Sequence, residues 1–183
     1  EALQGQVSQT TLYALRAQLI SASPSPLLHQ ARTGEARVIL TFAGQAQTYL
    51  DDLERLYEIP AGQRVIEACA EAVADEVNSG ASLEGLHPFG MDLIEWIENP
   101  ESRPPQDALA DAVLSQPLIF VAQMAQLAAM ERLGFAPARI EEWAVATTGH
   151  SQGILSAMVA AEALAPEALA ERAAQIARYL VWQ

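Results

Sequence analysis

Residues 143–163 lay a strand, a five-residue turn and a helix end to end, and this order constrains the fold more than any other feature of the chain. Residues 143–148, Trp-Ala-Val-Ala-Thr-Thr, read as a short buried strand. Residues 154–163 are small and mostly apolar, without proline or glycine, and read as a helix. Between them stands Gly149-His150-Ser151-Gln152-Gly153. A serine bracketed by glycines at such a joint is a nucleophile elbow. The turn is too tight for side chains at its flanks, hence Gly149 and Gly153. It lifts the serine hydroxyl into an exposed position and aims the first amides of the helix at whatever the serine attacks. Those unpaired amides and the positive helix end favour the negative charge that develops in acyl transfer. The plain alternative is a tight turn whose serine merely caps the helix.

Elsewhere, helical and strand patterns alternate. Residues 10–21 carry Leu12, Leu15 and Leu19 at helical spacing, and Pro24 and Pro26 then break the pattern. Residues 37–42, Arg-Val-Ile-Leu-Thr-Phe, read as a buried strand. Residues 47–57 place Leu50, Leu53, Leu56 and Tyr57 on one helical face. Pro60 separates them from a helix over 61–77, which Asn78-Ser79-Gly80 ends. A short helix over 91–98 precedes the loop Arg103-Pro104-Pro105. Residues 116–133 are helical and apolar nearly all round, the mark of a buried helix. The last helix starts near Pro166, with Leu169, Ala173, Ile176 and Leu180 on one stripe. Strands alternating with helices predict an α/β fold with a parallel sheet. Two strands are too few for a doubly wound sheet, and the sequence stops at Trp182-Gln183 within a helical pattern, so an incomplete domain is expected.

The 183 residues fit one domain or part of one, and 51% hydrophobic content supplies ample core. The formal net charge of −13 argues against a nucleic-acid surface, which needs clustered Lys and Arg. No apolar run reaches membrane-span length without a polar break, so no membrane partner is expected. The start, Glu-Ala-Leu-Gln-Gly, shows no signal-peptide pattern, and a cytoplasmic, reducing location is the expectation. The single Cys69 excludes an internal disulfide and a cysteine-rich metal site. It shares a helical face with Val65, Ile66, Val73 and Val77 and reads as core. No metal is expected.

Three motifs together carry a resemblance. Phe42-Ala43-Gly44-Gln45-Ala46-Gln47 resembles the F-G-G-Q-G turn of acyltransferase domains. Residues 115–123, from Ser115-Gln116-Pro117 to Gln123, resemble their S-Q-P helix start, and residues 148–155 resemble their elbow. The order and spacing over residues 37–183 are similar to the starter acetyltransferase domains of fungal and bacterial type I fatty acid synthases, which carry G-H-S-Q-G. The resemblance implies a parallel-sheet, α/β-hydrolase-like acyltransferase core, helix-rich and incomplete. The family's ferredoxin-like small subdomain and its catalytic histidine region are absent from this chain. Residues 1–34 correspond to a variable leader of helix and linker, and 35–183 to the first part of the α/β subdomain.

The resemblance further implies a ping-pong transfer through Ser151, from acyl-coenzyme A to the phosphopantetheine arm of an acyl carrier protein, in fatty acid biosynthesis. Coenzyme A thioester would be substrate, with no permanently bound cofactor. Other synthase domains and a homo-oligomer are the implied partners. By matching, the oxyanion hole consists of the backbone amides of Gln45 and Gln152, with His150 and Gln123 supporting the pocket. Ala46 departs from the family glycine, which bears on turn geometry. The family base is a histidine downstream; His29 and His87 lie in proline-flanked loops before the elbow. Because the chain is acidic, a carrier must dock through a local basic patch or arrive by tether. Extender-loading relatives hold the malonyl carboxylate with an arginine on the helix after the elbow. Here Gln175, Ile176 or Gln183 stands at that register, and Arg172 and Arg178 are displaced from it. An uncharged starter such as acetyl is therefore expected, since an unpaired buried carboxylate is costly. Two alternatives stay open: a serine hydrolase or thioesterase with the same elbow, and a non-catalytic scaffold domain.

Overall fold

The structure is a computed structural model and describes residues 25–44, 49–79 and 85–182. The helix expected over 10–21 lies outside the described residues, as do Gln45, Ala46 and Gln183. In chain order the main elements are α1 (Pro26–Thr33), β1 (Ile39–Phe42), α2 (Leu50–Tyr57), α3 (Pro60–Ser79), α4 (Leu93–Glu98), α5 (Gln106–Ala110), α6 (Ala112–Ala129), β2 (Ala146–Gly149), α7 (Gly153–Ala161) and α8 (Pro166–Leu180). Short 3-10 turns at Pro100–Ser102, Met130–Leu133 and Pro137–Glu142 join some of them.

Helices α3, α6 and α8 form the body, because each carries an apolar face that only the others can cover. The buried face of α3 is Val65, Ile66, Cys69, Val73 and Val77. That of α8 is Leu169, Ala170, Ala173, Ala177 and Leu180, and the alanines let the two backbones approach closely. Burial pushes the Cys69 thiol strongly upward, so it stays protonated as core packing. Pro60 is not a break outside the helix but begins α3, and Pro166 begins α8 as expected, where a missing N–H costs nothing. Pro26 does the same for α1, so His29 stands on a helix rather than in a loop, and Leu28 is buried against the core.

Helix α6 starts at Ala112, earlier than the periodicity indicates. Asp111 caps it, its carboxylate accepting from the Val113 amide at 3.0 Å. Pro117 therefore lies inside the helix and not at its start. Together with the 3-10 turn after it, residues Ala112–Leu133 are long and apolar enough to cross a membrane, contrary to the expectation from sequence. Of the apolar window, 72% is buried within the fold, which marks a core helix. Beyond it, Phe135 and Trp143 pack edge to face with centroids 5.2 Å apart.

Strands β1 and β2 pair in parallel, with Ile39 opposite Ala146 and Phe42 opposite Gly149. Parallel neighbours require a crossover, and α2 to α6 provide it. The result is helix-rich α/β with a small parallel sheet of two strands among the described residues. Both strands are shorter than predicted, and neither is buried as expected. With only a two-stranded sheet, Ile39, Val145, Ile154 and Met158 each remain more than half exposed, where a parallel sheet is ordinarily covered. Trp143 belongs not to the strand but to the core at its foot.

Candidate active site

The elbow forms as the sequence predicts, at the carboxyl ends of both strands. Pairing of β1 with β2 continues one residue past the strand, the His150 amide donating to the Phe42 carbonyl at 3.0 Å. The chain then reverses into α7 through Ser151, whose φ of +54° lies in the left-handed region. A non-glycine residue there costs about 1–2 kcal/mol, and such strain in native folds clusters at functional positions. Gly149 and Gly153 are required by close approach. A Cβ on Gly149 would collide with the Gly153 carbonyl, and one on Gly153 with the Phe42 and Ala43 carbonyls.

Ser151 is exposed, and its hydroxyl has no hydrogen-bond partner among the described residues. The hydroxyl therefore does not act as a helix cap, and α7 has no side-chain cap. The amides of Gly153, Ile154 and Leu155 donate to the carbonyls of His150, Ser151 and Gln152 at 2.9, 3.1 and 3.0 Å. The Gln152 N–H is left without a backbone acceptor among the described residues, at the positive end of α7 beside the serine. Its expected partner, the Gln45 amide, lies outside them.

The segment just before Gln45 touches Ser151. A Cβ on Gly44 would stand 2.9 Å from the His150 carbonyl oxygen and 3.1 Å from Ser151 Cβ, so the chain after β1 packs directly on the serine. The Gln123 amide group reaches this segment from α6. Its Nε2 donates to the Ala43 carbonyl at 2.7 Å, and its Oε1 accepts from Ser156 Oγ at 2.6 Å. Gln123 thus spends its polar atoms on the protein rather than on a pocket. The Gln152 side chain is buried, its Nε2 donating to the Gln116 carbonyl and its Oε1 left without a partner.

The three histidines divide. His150 is exposed beside the elbow, with Nδ1 near Gly44. His29 is exposed on α1, and His87 is buried with Nε2 donating to the Val181 carbonyl at 2.8 Å. None hydrogen-bonds Ser151. The arginines of α8 are engaged elsewhere: Arg172 pairs with Glu162 at 3.0 Å and Arg178 with Glu76 at 3.6 Å. Gln175 lines a shallow groove with Ala72 and Arg178, and Ile176 packs against the core. No cluster of His, Cys, Asp and Glu among the described residues could hold a metal. Sequence reasoning missed Ser156 and Gly44 as site residues. The one signal for Ser156 was a lone hydroxyl within the apolar run of α7.

Residues 40–183 match the protein family described as starter unit:ACP transacylase in aflatoxin biosynthesis. The chain belongs to this transacylase family. Over 146 residues it is 32% identical to the fatty acid synthase subunit beta of Saccharomyces cerevisiae, covering 76% of this chain and 7% of that protein. A fatty acid synthase beta subunit of Emericella nidulans is 31% identical over 163 residues, 86% of this chain and 8% of the relative. The subunit beta of Aspergillus oryzae is 30% identical over 167 residues, 87% of this chain and 8% of its own length. The chain thus spans less than a tenth of the curated relatives it matches. Both the elbow and the Gln123 contacts lie within the matched transacylase region.

Proposed function

We propose that the chain loads a short, uncharged starter acyl group, acetyl foremost, from coenzyme A onto an acyl carrier protein by way of a seryl ester. Ser151 Oγ attacks the thioester carbonyl, the C–S bond breaks and coenzyme A leaves as the thiol. The phosphopantetheine thiol of the carrier then attacks the seryl ester, and Ser151 is released with its proton restored. The observation that carries this reading is the exposed Ser151 hydroxyl on a left-handed bend, without a partner among the described residues, next to a Gln152 N–H likewise unpaired among them. A preorganised N–H at that position stabilises the tetrahedral oxyanion. None of the three histidines hydrogen-bonds Ser151 here, and the reading takes as the base that accepts the serine proton the downstream histidine that the resemblance implies. Preference for an uncharged acyl group is supported by the ion pairs that occupy Arg172 and Arg178. The reaction needs no resident cofactor and is compatible with the cytoplasm, in a multidomain synthase that brings carrier and transacylase together.

Release of the acyl group tests the reading. The full protein is acylated with labelled acetyl-coenzyme A, then offered either buffer or a carrier bearing its phosphopantetheine arm. Label is expected to stay on protein in buffer and to pass to the carrier thiol within seconds to minutes. Rapid release as free acetate, independent of the carrier, would make the chain a hydrolase instead.

A further inference from the structure

Three elements meet through one side chain. Gln123 projects from α6, a helix otherwise almost wholly committed to apolar packing, and both halves of its amide are used. The N–H half holds the Ala43 carbonyl at 2.7 Å, at the mouth of β1. The oxygen half takes the hydroxyl of Ser156 at 2.6 Å, from the first turn and a half of α7. Ser156 has no exposed surface and Ala125, Met124 and Phe120 of α6 are fully buried, so the bridge sits on a rigid base. The amide cannot flip without facing the Ala43 carbonyl with an oxygen. The Ser156 hydroxyl therefore fixes the amide, and the amide fixes the carbonyl. Ala43 is the residue before Gly44, which packs on Ser151 Cβ.

We propose that the Ser156–Gln123–Ala43 bridge is a latch that sets the distance between the segment after β1 and the nucleophile, with Gln123 a positioning residue for acyl transfer. Its functional consequence rests on the acyl-transfer reading; its structural consequence does not. An apolar side chain at 123 fills the space but releases the Ala43 carbonyl. A glutamate accepts from Ser156 but turns a second acceptor toward that carbonyl, so it breaks the latch only while ionised.

The test uses the full protein with Gln123→Met, Gln123→Glu and Ser156→Ala, each read twice. Hydrogen exchange is measured at the His150 amide and at the backbone of residues 42–44, and the steady-state transfer of acetyl to carrier is measured across pH. Exchange in all three variants is expected to rise at least five-fold at those amides and to stay unchanged in α3 and α8. In Gln123→Met and Gln123→Glu, kcat falls ten-fold or more with KM within two-fold. The deficit of Gln123→Glu relative to wild type narrows as the pH falls toward the carboxylic acid range, whereas that of Gln123→Met does not. Unchanged exchange at residues 42–44 and 150 overturns the latch. Raised exchange with kcat unaltered overturns the positioning role. If wild type transfers no acetyl while the exchange pattern appears as stated, the acyl-transfer reading fails and the latch stands.

Discussion

Ser151 concentrates the conflict between local preference and the proposed function. Its φ of +54° suits glycine, yet the proposed acyl transfer needs its hydroxyl. Ser151→Gly should therefore raise stability above Ser151→Ala by about 1 kcal/mol, the difference between the two residues in a left-handed conformation. Both should lose acylation entirely, and paired thermal melts with an acylation assay check this. Equal stability of the two would mean that the bend carries no strain. Tyr49 offers a second residue-level test. Its hydroxyl donates to the Leu109 carbonyl at 2.5 Å, and burial pushes its pKa up to about 12 from 10. Between those values the unfolded phenol has ionised and the folded one has not. The unfolded state is therefore favoured progressively as pH rises from 10 to 12, and not further by this group above 12. Wild type should lose stability across that window, and Tyr49→Phe should lose less, after starting about 1 kcal/mol lower at pH 7 for the missing hydrogen bond. Chemical denaturation at pH 7, 10 and 12 gives the comparison. Ser151 and its flanking glycines were legible because the constraint is local: a bend fits or collides within five residues. The partners of Gln123 were not, since bonds to Ala43 and Ser156 join distant parts of the chain and leave no spacing to read.

Among the elements, helices α3 and α8 were legible from their stripes of Val65, Ile66, Cys69 and Leu169, Ala173, Leu180, because one face of each is exposed and the contrast shows. Helix α6 has no such contrast. Its start was hidden twice, once by apolar residues on every side and once by Pro117, which reads as a boundary but sits within. The signal that marks the true start is Asp111, whose carboxylate holds the Val113 amide. Asp111→Ala should cost about 1 kcal/mol and lower Tm by about 2–4 °C, while Asp111→Ser restores most of it. A thermal melt of the two variants measures the effect; no loss in Asp111→Ala would show that the cap contributes nothing. The prolines misled in the same way at Pro26 and Pro60. Each is a first helical residue rather than a break, a distinction set by the residues C-terminal to the proline and not by the ring itself. The strands were found in the right regions but drawn too long, and they were misjudged in burial because β-branched runs do not state how many neighbours a sheet has.

At the scale of the molecule, a helical body of α3, α6 and α8 holds a two-stranded parallel sheet whose carboxyl edge presents the elbow. The acidic balance, −13 overall, leaves few cations, and the two arginines of α8 are both paired with glutamates. The resemblance to starter transferases was legible from short motifs: the elbow sits where backbone geometry limits the residue, whereas Ser115-Gln116-Pro117 lies within α6. The direct test is to incubate the full protein and its Ser151→Ala variant with acetyl- and malonyl-coenzyme A in parallel, and to map the adduct by peptide mass spectrometry. An acetyl ester is expected on Ser151 of wild type and none on the variant, with malonyl ester at least ten-fold scarcer. Acetyl label that persists in Ser151→Ala, or resides on another side chain, would contradict a seryl transfer.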